Sequence, residues 1–128
     1  MKAIIAIAFS FLLSPVTAAV QDDDTKDDAW DVNATFGPTS PLEFETTEGT
    51  WMNLDISPDG TQIVFDLLGD LYVMPVSGGT ATRLTEGAAF DMQPRFSPNG
   101  ESIAFASDRD GATNLWVVDR DGANPRQV

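Results

Sequence analysis

Ile56-Ser57-Pro58-Asp59-Gly60 returns forty residues later as Phe96-Ser97-Pro98-Asn99-Gly100, and the architecture follows from that return. The same offset carries Met52 onto Met92, Ile63 onto Ile103 and Phe65 onto Phe105. Further along it grows to forty-four, because Leu71-Tyr72-Val73 matches Leu115-Trp116-Val117. Four residues are thus inserted around Asp108-Arg109-Asp110-Gly111, and since insertions settle in loops a hairpin tip is predicted there. Inside the motif, proline presets φ at about −65° for the first central turn position, Asp or Asn tolerates the next, and glycine takes a positive φ at little steric cost. Ser57 and Ser97 can bond back to the turn amides. No general base stands by, so they read as punctuation between strands and not as nucleophiles.

Each copy reads as four short strands: 52–56, 62–66, 71–76 and 81–84 in the first, and 93–96, 102–107, 114–119 and 125–128 in the second. Aromatic and β-branched residues fill these runs, and Gly, Pro, Asp and Asn separate them. The middle strands are apolar on both alternating faces, as in Ile63-Val64-Phe65 and Leu71-Tyr72-Val73-Met74. A sheet with one wet face would alternate more cleanly. Burial on both faces, in repeats of about 40 residues, fits the four-stranded antiparallel blades of a β-propeller, so an all-β fold of two blades, an incomplete propeller, is predicted.

The predicted organisation is a signal peptide at 1–19, an acidic linker at 20–41, a ring-closing strand within 42–50, one blade at 51–87 and a second at 88–128. Lys2, the apolar run from Ala3 to Leu13 broken only by Ser10, then Pro15 and Val16-Thr17-Ala18-Ala19 have the order of an export signal cleaved near Ala18 or Ala19. The apolar run is shorter than the ~20 residues of a spanning helix. A periplasmic or secreted product without a membrane span is therefore expected. Six acids between Gln21 and Asp31, relieved only by Lys26, make a self-repelling segment with no core pattern. The ring-closing strand is inferred from Thr47-Glu48-Gly49, which echoes Thr85-Glu86-Gly87. Propellers need about four to eight blades. Two repeats therefore suggest a segment of a longer protein, or else a two-bladed protomer that completes a ring with its own copies. The free chain, with bare blade faces, is expected to aggregate.

The net charge of −13 sets the chain against nucleic acid and anionic membrane surfaces. With neither His nor Cys in the sequence, Ser-His-Asp and Cys-His arrangements, disulfides and histidine or thiolate zinc sites cannot form within it. No catalytic residue, cofactor site or metal site is predicted in this chain. Asp108-Arg109-Asp110-Gly111 and Asp119-Arg120-Asp121-Gly122 echo part of a calcium loop but lack its downstream glutamate, so ordinary Asp-Gly hairpin turns are expected. Trp51, Tyr72 and Trp116 could line a ligand or protein surface. The equivalence of Tyr72 and Trp116 in the two repeats points instead to packing between blades.

The run FSPNGESIAFASDRDG followed by NLWVVDRDGANPRQV resembles the TolB-type, WD-like propeller repeat, and the resemblance covers residues 51–128. The blocks from Phe44 to Asp55, FDLLGDLYVMPVSGG and AFDMQPRFSPNG are similar to the N-terminal propeller of exported bacterial proteins that carry an amidohydrolase domain. That likeness implies a parent with a metal-dependent hydrolase barrel whose histidines lie outside this chain. The blades would then act as a scaffold or a screen on substrate access, with the C-terminal domain as partner. The other expectations are a TolB-like propeller without enzymatic activity, binding envelope proteins through its loop face, and the propeller of a serine peptidase.

Overall fold

The computed structural model describes residues 31–34 and 37–128, and the predicted signal peptide and most of the acidic linker lie outside them. Eight strands follow one another: β1 (Leu54–Ile56), β2 (Gln62–Leu67), β3 (Asp70–Pro75), β4 (Thr82–Arg83), β5 (Met92–Phe96), β6 (Ser102–Ser107), β7 (Asn114–Asp119) and β8 (Arg126–Gln127). They form two antiparallel four-stranded sheets, each in simple sequence order. This is the predicted pair of blades, all-β throughout the described residues.

The Ser-Pro-Asp/Asn-Gly turns behave alike in both copies. Gly60 donates to the Ser57 carbonyl and Gly100 to that of Ser97, each at 2.8 Å, with φ of 69° and 70° at the two glycines. The Ser57 hydroxyl accepts from the Gln62 amide at 2.9 Å and that of Ser97 from the Ser102 amide at 3.0 Å, closing each hairpin from inside. Residue spacing alone sets this geometry.

Val64 and Leu71 of the first sheet meet Ile103, Phe105 and Val118 of the second in a core closed to solvent, flanked by Leu84, Phe96 and Trp116. Trp116 thus packs between blades as expected. Tyr72 stacks on Phe65 at 5.7 Å on the other side of the first sheet, the side turned away from the second. Residues 42–50 are exposed and form no ladder. Each of the two sheets already holds four strands of its own, so the blade that the expected ring-closing strand would complete is neither of these. β1 starts two residues later than predicted because the Asn53 amide donates to the Asp66 carboxylate at 2.7 Å, leaving the strand ladder before it begins.

Candidate functional site

An antiparallel meander sends alternate connections to opposite ends. The β2–β3 turn, the β4–β5 connection and the β6–β7 loop share one end, the loop end. The β2–β3 turn has two central residues, Leu68 and Gly69, both at positive φ (55° and 89°), which suits the twist of a two-residue hairpin. Leu68 is large, apolar and exposed in a conformation that favours glycine. Trp51, just ahead of β1, repeats the combination: φ is 62° and the residue is 98% exposed. Both line a cavity of about 360 Å³ together with Phe90, Met92, Asp66 and Asp91.

The carboxylates under this rim serve the fold. Asp66 accepts from the Asn53 amide and side chain and, across the blade boundary, from the Gln93 amide at 2.8 Å. Asp55 likewise accepts from the Phe96 amide at 2.9 Å. Two amides of β5 are thus satisfied by the preceding blade. Asp91, 1% exposed, holds Arg109 through both oxygens at 2.8 and 2.7 Å. The guanidinium also donates to the Ser107 hydroxyl at 2.9 Å and lies over the rings of Phe105 (5.1 Å) and Trp116 (5.0 Å). The Asp91 amide donates to the Gly69 carbonyl at 2.8 Å, and that of Phe90 to Asp108 at 2.8 Å, so this connection is tied to both sheets. At the edge, burial pushes the Asp70 carboxyl up, with Arg83 at 3.5 Å acting against it. Asn33 reaches the same end and accepts from the Ala88 amide at 3.2 Å.

A family model of the TolB beta propeller domain matches residues 43–128. This chain belongs to the TolB β-propeller family. Among its relatives, an uncharacterized protein of Agrobacterium fabrum is 36% identical over 76 residues, covering 56% of this chain and 26% of that protein. The Tol-Pal system protein TolB of Helicobacter hepaticus is 31% identical over 86 residues, covering 64% and 20%. A solved structure reported as TolB from Agrobacterium tumefaciens superposes with a TM-score of 0.58 at 31% identity, covering 64% of this chain and 31% of that one. TolB from Acinetobacter baumannii gives 0.55 at 21% identity, covering 65% and 22%, which speaks for the fold alone. The chain spans about a third or less of these relatives.

At the opposite end of this TolB-type pair, Arg120 crosses from the β7–β8 turn to the first blade. It donates to the Gln62 side chain at 2.8 Å and to Asp59 at 3.2 Å, beside a cleft of about 830 Å³. Hydrogen bonds from Ser57 and Thr61, with a smaller contribution from Arg120, hold the Asp59 carboxyl well below its usual 3.8. A depressed carboxylate contributes its stability above the unfolded value and loses it as pH falls toward the folded one. Acid titration should therefore destabilise the chain below about pH 3.8, continuing well below it, and Asp59→Asn should reduce that loss. Asn99 already serves the same turn in the second repeat, accepting from the Ser97 hydroxyl at 2.6 Å, so Asp59→Asn should fold normally. Circular dichroism against pH reads both; equal acid sensitivity of the two proteins would place its origin elsewhere.

The two calcium-loop echoes resolve as turns, with Gly111 donating to the Asp108 carbonyl at 2.9 Å and Gly122 to that of Asp119 at 2.8 Å. Their acids go separate ways: Asp108 to Phe90, Asp110 to Asn114, Asp119 to Asn124 and Asp121 to Ala123. No group of three or more potential metal ligands gathers among the described residues. Sequence reasoning missed the Asp91–Arg109 pair, although a signal was present. The first repeat has Trp51 at the Asp91 position and lacks the insertion that brings Arg109, so both partners occur only in the second.

Proposed function

We propose that this chain is a non-catalytic, protein-binding part of an exported TolB-like propeller, and that partners dock on its loop end. The observation behind this reading is the pair Trp51 and Leu68. Backbone in the left-handed region costs a side-chain-bearing residue about 1–2 kcal/mol, and exposed apolar surface adds nothing to folding. Both penalties fall on residues lining one cavity, the pattern of a surface kept for another molecule. Asp66 and Asp91 beneath it are already engaged by groups of the chain, so the cavity offers shape and apolar surface, which suits a side chain presented by a protein. The likeness to Tol-Pal system TolB proteins agrees with this role, and the export-signal order of residues 1–19 agrees with a periplasmic or secreted location.

A scaffold role beside an amidohydrolase-type domain rests on the resemblance of residues 44–100 and has no support from the relatives above. A His-x-His pair following a strand in the parent's further sequence would favour it, and Gly-x-Ser-x-Gly would favour a peptidase. For the interaction reading, a photo-crosslinking side chain placed at Leu68 or Phe90 in living cells should capture discrete protein adducts. The same group at Asn99, on the opposite end, should not. Equal capture at both ends, or none at the loop end, would overturn the reading.

A further inference from the structure

The Ser-Pro-Asp/Asn-Gly turns of the two repeats differ at one residue, and that residue carries chemistry. Of the five asparagines in the sequence, Asn99 alone precedes a glycine; the others precede Ala34, Leu54, Leu115 and Pro125. A backbone nitrogen attacks the side-chain amide of the asparagine before it most readily when its own residue has no side chain in the way, and proline has no N–H to give up. In this reaction the Gly100 nitrogen loses its proton and bonds to Asn99 Cγ, the bond from Cγ to Nδ2 breaks, and ammonia leaves. Water then opens the five-membered imide to an aspartyl or isoaspartyl residue, so one amide becomes one carboxylate.

The folded chain restrains both reacting groups. The Gly100 amide donates to the Ser97 carbonyl at 2.8 Å. Asn99 is exposed, but Gly100 behind it is buried, and a methyl group on its Cα would stand 3.3 Å from Pro58 Cδ and 3.7 Å from Arg120 Nη1. Pro58 belongs to the corresponding turn of the first blade, and Arg120 crosses to Gln62 and Asp59 of that blade. The attacking nitrogen is therefore covered by the contact between the blades. The amide it would attack is held as well, with Oδ1 accepting from the Ser97 hydroxyl at 2.6 Å and Nδ2 donating to the Glu101 carboxylate at 2.6 Å. In the first repeat, where Gly60 is exposed, the residue before the glycine is already an aspartate.

We infer that Asn99 is a site of spontaneous deamidation, gated by separation of the two blades at the end opposite the loop end. The product differs from Asp59 in its neighbour. Thr61 donates to Asp59 through its amide at 3.0 Å and its hydroxyl at 2.7 Å, whereas the repeat offset puts Glu101 in that place. A carboxylate at position 99 faces the same Glu101 oxygen that accepts from Nδ2 before the reaction, and the cation over this turn, Arg120, is already shared with Asp59. Like charges so close repel. The turn closes less well after the reaction than before it, so each conversion weakens the contact between the blades and is not reversed.

Mass spectrometry of tryptic peptides, followed over weeks at neutral pH, reads the gain of a carboxylate at Asn99. A hydrogen bond worth about 1.4 kcal/mol net is about a tenfold factor, so the turn bond and the Arg120 bridge together should make conversion about a hundredfold slower in buffer than in urea. Arg120→Ala should restore about a tenfold part of that difference, and Arg83→Ala, at the loop end, none of it. Asn99→Gln should stay unconverted, because its ring closure needs six members. Asn99→Asp should unfold at lower urea than the unsubstituted chain, and Glu101→Gln added to it should recover the loss. Equal rates in buffer and urea, or an unchanged rate in Arg120→Ala, would overturn the gating by the blades. An Asn99 that converts in neither condition, or an Asn99→Asp chain as stable as the unsubstituted one, would overturn the site or its consequence.

Discussion

Arg109→Ala should lower stability by about 3–5 kcal/mol, the usual cost of removing one partner from a buried ion pair. Asp91 is 1% exposed and would be left in the interior without its partner, while Ser107, Phe105 and Trp116 would lose what covers them. Domains of this size hold together by roughly 5–15 kcal/mol, so much of the margin would go. Asp91→Ala should cost a similar amount, and the double substitution much less than the sum of the two, because the second change removes the stranded partner. Arg109→Lys should recover only part of this, since an ammonium can bind the carboxylate but cannot also donate to Ser107 and lie flat over two rings. Urea unfolding of these four variants beside the unsubstituted chain measures all of this. A loss below about 1 kcal/mol for Arg109→Ala would mean that water replaces the guanidinium and that the pair is not a fastening.

Phe105→Ala should cost about 3–5 kcal/mol, the range for a buried aromatic cut to a methyl group. Its ring is enclosed by strands of both blades and carries Arg109 above it, so neighbours can close only part of the space. Phe105→Leu keeps most of the volume and should cost less than about 1.5 kcal/mol. The informative control is Phe65→Ala at the equivalent place in the first repeat, where the ring, 8% exposed, stacks on Tyr72 at 5.7 Å on the face turned away from the second sheet. Near-equal losses at low protein concentration would show that packing within a single sheet, and not between the two, fastens these rings.

The blades were legible in the sequence because their determinants are local. Ser57 and Gln62, or Ser97 and Ser102, are five residues apart and close their hairpins by spacing alone. The two-faced apolar pattern of 62–66 and 102–107 likewise required no knowledge of partners, and β6 and β7 have the predicted bounds. What escaped was set by contacts between distant residues. Asp55 and Asp66 look like ordinary strand polar residues until β5 arrives with amides to satisfy. Arg109 looks like a turn residue until Asp91, eighteen positions earlier, is brought beneath it. Trp51 could not be told from a core tryptophan, because exposure depends on what the rest of the fold leaves uncovered.

The hydrogen bonds from Gln93 and Phe96 to the first sheet run in one direction along the chain: the later segment donates and the earlier one accepts. During synthesis the acceptors therefore leave the ribosome before the groups that need them. Asp66 can already be oriented by Asn53 within the first hairpin while β5 is still being made. The second sheet thus emerges beside a finished template, whereas the first must form without one. Vectorial translation and the polarity of these bonds favour the same order of assembly, with the first sheet leading and the second condensing on it.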